Sequence, residues 1–137
     1  MTNEHMTAEH MTAEHMTNEE LWDGWAALWN GDLALGAKIF TPEFRVRFGR
    51  EVPGADQVRD GLAMAELIGG FRAGFAHLRY GTEIGPFGDG EFLAARWYAD
   101  GTDETGSWRA HGHDVLRIVD GRIAEAWSIT APLRTTA

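Results

Sequence analysis

The apolar positions of this chain follow two periods in turn. Over residues 18–30 they fall at Leu21, Trp22, Trp25, Leu28 and Trp29, three and four apart, which is one face of a helix. Thr17 with Glu20 three residues later fits a capping box at its start. Asn30-Gly31-Asp32 stops it. Asp32 is then predicted to cap a second helix, LALGAKIF, which Thr41-Pro42 ends. FRVRFG, from Phe44, alternates and reads as a short strand. After the loop VPGAD, Asp56 is predicted to cap a third helix reaching about Phe75, weakened by Gly61, Gly69, Gly70 and Gly74.

From His77 onward the period is two. HLRYGTEIG, EFLAARWYA, SWRAHGHDVLRIV and RIAEAWSIT read as strands, with hairpin turns at Gly88-Asp89-Gly90 and Asp120-Gly121. Helices ahead of an antiparallel meander give an α+β class, the helices covering one sheet face. Ahead of this, MTNEH MTAEH MTAEH is a tandem five-residue unit. Each step advances about 140° around a helix, so His5, His10 and His15 do not stack as ligands. Residues 1–16 are expected to be a repetitive extension, flexible or helical, and 17–137 a single domain.

Register assigns faces. A two-residue turn at Asp120-Gly121 pairs Val119 with Arg122, Ile118 with Ile123, Leu116 with Glu125, and Asp114 with Trp127. Asp114, Leu116, Ile118, Ile123, Glu125, Trp127 and Ile129 then share a mostly apolar face, which should be the buried one. His111, His113, Val115 and Arg117 take the other. A turn at Asp89-Gly90 places Glu83 opposite Arg96 and Arg79 opposite Asp100, two favourable cross-strand charge pairs. The loop DGTDETG leaves the parity between the two hairpins open, so a bulge there is able to turn His111 or His113 inward.

Composition narrows the chemistry. Asp and Glu outnumber Lys and Arg by 21 to 12, and no basic stripe exists, so nucleic acid is not an expected partner. Without cysteine there is no disulfide, thiolate metal site or cysteine nucleophile. No metal or cofactor is expected, and no run approaches a membrane span. No charged start precedes an apolar run, so the cytoplasm is the expected location. Six Trp and seven Phe are enough to line a pocket or to fill a core. Asp114 is the unusual residue. An unpaired carboxylate on an apolar face is costly, so it is hydrogen-bonded, protonated or open to a cavity. Burial and the nearby Glu125 both raise its pKa, which suits general acid–base work; the alternative is an Asp that merely bonds an indole or a backbone amide.

LWNGDLALGAKIF, FRAGFAHLRYGTE, EFLAARWYADGT and above all GHDVLRIVDGRIAEAW make residues 18 to about 132 resemble the SnoaL-like branch of the nuclear transport factor 2-like superfamily. The resemblance implies three helices packed in the concavity of a strongly curved antiparallel sheet, a cone with an apolar pocket. It also implies a homodimer through the outer sheet face. Such proteins include polyketide cyclases, ketosteroid isomerases, epoxide hydrolases, dehydratases and non-catalytic binders, and those enzymes need no cofactor. Asp114 matches the cyclases' proton-moving aspartate. The steroid isomerases' base carboxylate and helix tyrosine correspond here to Phe48-Gly49 and Asp23-Gly24, which argues against that particular reaction.

The expectation is therefore a cofactor-independent acid–base enzyme of the cyclase or isomerase type, acting on a small apolar carbonyl compound. Asp114 would move the proton, Glu125 would tune or relay it, and His113 would assist if the loop turns it inward. Tyr80, Trp97, Trp127, Trp25 and Phe48 would shape the cavity. A non-catalytic ligand-binding or dimerisation module is the alternative, with an epoxide hydrolase or dehydratase behind it.

Overall fold

Thr17 opens the first helix by a reciprocal cap. Its hydroxyl accepts the Glu20 N–H at 3.1 Å, and the Glu20 carboxylate accepts the Thr17 N–H at 2.9 Å. Helix α1 runs Asn18–Trp29 in this computed structural model, which describes residues 16–136. The readings of the repeat, including its histidines, lie outside the described residues. The apolar stripe of α1 buries Leu21, Trp22, Trp25 and Leu28.

The second expected helix is only a 3-10 turn, Leu33–Ala37. Strand β1, Phe40–Phe48, begins where the helix was to continue. Two interactions decide this. The Ile39 carbonyl accepts the Ile123 N–H at 2.8 Å, drawing the chain into the sheet. Gly36 also lies directly on Gly61, so closely that a Cβ on either would strike the other's carbonyl oxygen. The third helix, α2, spans Gly61–Arg72 and is shorter than expected. Asp60 caps it, accepting the Ala63 N–H at 2.8 Å, while Asp56 falls in a separate 3-10 turn, Ala55–Gln57. The α+β class thus holds with two α-helices among the described residues.

Five strands form the main sheet: β1, β2 (His77–Gly88), β3 (Phe92–Asp103), β4 (Gly106–Val119) and β5 (Arg122–Thr130). Their order is β1-β5-β4-β3-β2, and a short β6, Thr135–Thr136, pairs with β4. The sheet is mixed, because β1 lies parallel to β5 while the meander is antiparallel. Between β2 and β3 the pairing starts out of the expected register at Gly88↔Leu93. Two shifts around Gly85, whose φ is 100°, restore it from Thr82↔Trp97 onward. Arg79 then stands opposite Asp100, as expected, and Glu83 reaches Arg96 at 3.3 Å.

The β4–β5 hairpin corrects the sequence reading more deeply. Its turn is as expected: Asp120 and Gly121 have φ of 53° and 73°, and Ile118 pairs with Ile123. A bulge at Ala124 then slips the register by one residue. Arg117, not Leu116, faces Glu125, and Ser128, not Trp127, faces Asp114. Such a slip moves every later side chain to the other face. Glu125 and Trp127 therefore lie on the outer face, and the small Ala126 and Ser128 are buried on the concave one. The exchange has a physical reason: a Glu inside would be a second desolvated charge, whereas outside it meets Arg47 at 2.7 Å and Arg117 at 3.5 Å.

The β3–β4 pairing runs unbroken from Asp103↔Gly106 to Phe92↔Arg117, so no bulge turns a histidine inward. His113 is on the outer face, opposite Arg96, with Arg96 Nη1 and His113 Nε2 3.2 Å apart. Met64, Ala65 and Ile68 of α2 and the α1 stripe pack on the concave face, against Leu93, Ala95, Leu116, Ile118, Ile123 and Ala126.

Candidate functional site

Where α1 crosses the concave face, the core does not close. A cavity of about 700 Å³ opens there, within the ~300–1,000 Å³ usual for small-molecule sites. Its interior is aromatic: Trp22, Trp25, Trp29, Phe48, Tyr80 and Trp97 all line it. Small residues on the strands beneath leave the room. Asp114 has Ala95 on one side and Ser128 on the other, and its neighbour across β3 is no wider than a methyl group.

Asp114 lies in the wall of this cavity and is only 4% exposed. Its Oδ2 accepts the Trp25 indole N–H at 2.8 Å, and its Oδ1 accepts the Trp97 indole N–H at 2.9 Å. The Ser128 hydroxyl is a third donor. These elements come from three places: α1 supplies Trp25, β3 supplies Trp97, and the bulge in β5 turns Ser128 inward. Gly112 makes the Trp97 contact available. It pairs with Trp97 across β3 and β4, and a Cβ there would collide with the indole ring. The Gly-x-Asp of β4 is thus one device: the glycine admits the indole that the aspartate, two residues on and on the same face, then binds.

Burial pushes the Asp114 carboxyl above its usual range, against the bonds from Ser128, Trp25 and Trp97, which favour the charged form. All three donors are neutral, and the charge of His113 on the other side of the sheet is the weakest of the influences that oppose burial. Burial and then the Asp114 charge also push the Tyr80 phenol up, with Arg72 opposing, so Tyr80 stays protonated. At the rim the lining is polar and exposed: Arg50, Glu51, Thr82 and Thr130. Among the described residues no cluster of His, Asp and Glu could hold a metal ion. No helix there is long and apolar enough to cross a membrane.

Of the residues singled out in the sequence, Asp114, Trp25, Trp97, Tyr80 and Phe48 meet at the cavity. Glu125, Trp127 and His113 do not. The sequence reading missed Ser128, since only the bulge brings it inside, and the cavity side of Trp22 and Trp29, which read as helix core. It also missed Asn30 and Arg72. Asn30 binds the Tyr80 backbone on both sides, and Arg72 donates to the carbonyls of Trp29 and Leu78 at 2.8 and 3.0 Å.

Known proteins share this architecture. The family profile described as SnoaL-like domain matches residues 19–126. A protein from Acidithiobacillus ferrooxidans, provisionally named a polyketide cyclase, superposes with a TM-score of 0.72 at 18% identity, covering 84% of this chain and 88% of its own. Wild-type IdmH from Streptomyces antibioticus, another provisional polyketide cyclase, gives 0.69 at 20% identity over 83% of this chain and 91% of its own. AclR from Streptomyces galilaeus, provisionally a hydroxylase, gives 0.65 at 23% identity over 83% and 88%. A search of curated proteins gives no match.

Proposed function

The chain belongs to the SnoaL-like domain family, and on that footing we propose that it is a cofactor-independent acid–base enzyme of the cyclase or isomerase type. Its substrate is a small, largely apolar molecule with a carbonyl group. The observation that carries this is the buried carboxylate of Asp114 in the wall of an aromatic cavity. Burial makes Asp114 a stronger base than an ordinary carboxylate, and its two indole partners fix where its oxygens point. A carbon acid α to a carbonyl, bound among the aromatic rings, gives its proton to Asp114. The protonated Asp114 returns it at another position, or after ring closure. Proton transfer by a positioned side chain contributes about 10²–10⁴-fold. We extend the proposal to a cytoplasmic homodimer joined through the outer sheet face, for which sedimentation is the test.

A binding module is the second reading, and one observation favours it: both Asp114 oxygens already accept indole N–H bonds. Exchange of the α-protons of β-tetralone in deuterium oxide, followed by NMR, separates the two. An enzyme accelerates the exchange and loses about 10²–10⁴-fold in Asp114→Asn. Saturable quenching of tryptophan fluorescence by aryl ketones, with no exchange in the wild type for any of them, would leave the binding module.

A further inference from the structure

Tyr80 is the phenol of the cavity wall, and its surroundings are more elaborate than lining requires. Its backbone is gripped by one side chain: Asn30 Oδ1 accepts the Tyr80 N–H at 2.7 Å, and Asn30 Nδ2 donates to the Tyr80 carbonyl at 3.0 Å. Asn30 is itself fixed as the C-cap of α1, its N–H bonded to the carbonyls of Ala26 and Ala27. The ring is held on two sides, by Trp97 at 5.4 Å and by Trp29 at 5.5 Å between centroids. Trp97 is also the residue whose N–H binds Asp114, so phenol and carboxylate share a neighbour. Yet the Tyr80 hydroxyl has no hydrogen-bond partner among the described residues. It is not sealed off either: among those residues the buried side-chain polar atom left without a partner is the Trp29 indole nitrogen. A group positioned this firmly and left unpartnered at a cavity surface is prepared for something that enters the cavity.

The other hydroxyls of the lining are committed or peripheral. Ser128 donates to Asp114. Thr82 takes the Trp22 indole N–H at 2.8 Å and is exposed, as is Thr130. Indole N–H groups of Trp25 and Trp97 are spent on Asp114. The Trp29 indole N–H is unpartnered but buried away from the cavity surface, so Tyr80 is the hydroxyl of the interior that remains for a ligand.

We propose that the Tyr80 hydroxyl donates a hydrogen bond to the carbonyl oxygen of the bound ligand, and that Asn30 is the residue that positions it. Its part in turnover rests on the proton-transfer reading of Asp114. When Asp114 takes the α-proton, the C–H electron pair becomes the carbon–carbon double bond of an enolate. The carbonyl π pair moves onto oxygen, and that oxyanion meets the Tyr80 O–H. Return of the proton from Asp114 to carbon reverses the flow and restores the neutral carbonyl. Tyr80 keeps its own proton throughout, as a neutral phenol between aromatic rings is fitted to do. The ligand class follows: an apolar ketone or ester whose carbonyl reaches Tyr80 while its α-carbon faces Asp114.

Infrared spectroscopy of carbonyl-labelled β-tetralone bound to the full chain tests this independently of turnover. In the wild type the carbonyl stretch should lie below its position in hexane. Tyr80→Phe, which keeps the ring and its packing, should return it toward the hexane value. Asn30→Ala should broaden the band. Affinity for β-tetralone should fall about tenfold in Tyr80→Phe, with affinity for the hydrocarbon tetralin unchanged. Where exchange occurs, Tyr80→Phe should slow it about 10²–10³-fold. The same carbonyl stretch in wild type and Tyr80→Phe overturns the inference, as does a ketone that binds no better than tetralin. A stretch that responds to Tyr80→Phe with no exchange in the wild type keeps Tyr80 as the ligand donor and removes the proton-transfer reading instead.

Discussion

Two neighbours on β4, His113 and Asp114, face opposite sides of one sheet and live under different rules. On the outer face charged side chains pair with one another. Arg109 holds Asp100 with two bonds of 2.7 and 2.8 Å, Arg96 lies between Glu83 and His113, and Glu125 bridges Arg47 and Arg117. On the concave face Asp114 meets neutral N–H and O–H groups alone. Water shares the work outside, whereas Asp114 is only 4% exposed. The outer carboxylates are therefore exchangeable parts of a solvated surface, and Asp114 is a desolvated base whose energy depends on three named donors.

The largest effect that separates the faces is on folding. Asp114→Leu leaves two indole N–H groups and a hydroxyl without an acceptor. At about 1–3 kcal/mol for each buried donor left unmet, and with incomplete additivity, a loss of about 3 kcal/mol is expected in urea unfolding. Asp114→Asn should lose about 1–2 kcal/mol, since its amide oxygen satisfies one indole while its NH₂ confronts the other. The pH dependence has a definite sign. The folded pKa of Asp114 is raised, so its contribution is full below the unfolded value of about 3.9 and declines as pH rises through the folded value. The stability gap between wild type and Asp114→Asn should narrow from pH ~4 upward. A gap that widens with pH would mean a net-stabilised charge, and the base reading would be dropped.

A smaller effect sharpens the inner half of the comparison. Gly112→Ala pushes its Cβ into the Trp97 ring and toward the Ile129 carbonyl, which costs about 1–3 kcal/mol by overpacking and displaces the indole from Asp114. Trp97→Phe removes the same bond without the collision. Both take away a donor that favours the charged carboxyl, so both should raise the Asp114 pKa further, followed by carboxyl carbon NMR. An unchanged titration would show that the Trp97 bond does not hold Asp114 in its charged form.

The division between the faces was half legible in the sequence. Periodicity and the capping box found α1 and its buried stripe, and Asp-Gly turns found both hairpins. An aspartate amid Leu116, Ile118 and Ile123 was enough to point to Asp114. What failed was parity. Glu125 and Trp127 were placed inside because nothing in RIAEAWSIT marks Ala124 as the extra residue; the bulge is chosen by what each face tolerates, a tertiary matter. The second helix failed for a related reason, since the Gly36–Gly61 contact and the pairing of Ile39 outweigh the local pattern. Asn30 looked like a helix stop and is one, but its grip on Tyr80, fifty residues later, has no local signal.

The smallest effect comes from the outer face and is the most diagnostic, because its sign is opposite. Arg109's bonds hold the Asp100 carboxyl below its usual range, ahead of the weaker influence of His77 and His111. Its contribution is present above the unfolded value of about 3.9 and is lost as pH falls through the folded one. Asp100→Asn should thus lose at most about 1 kcal/mol near neutral pH, as exposed pairs do. Its gap to wild type should close on acidification, in the direction in which the Asp114 gap opens. Salt divides the two as well. At about 1 M, where the screening length is about 3 Å, the Asp100 effect should shrink toward nothing while the Asp114 effect persists among its uncharged partners. Equal salt sensitivity for the two would mean that water reaches Asp114 as freely as it reaches the outer face, and the distinction between the faces would collapse.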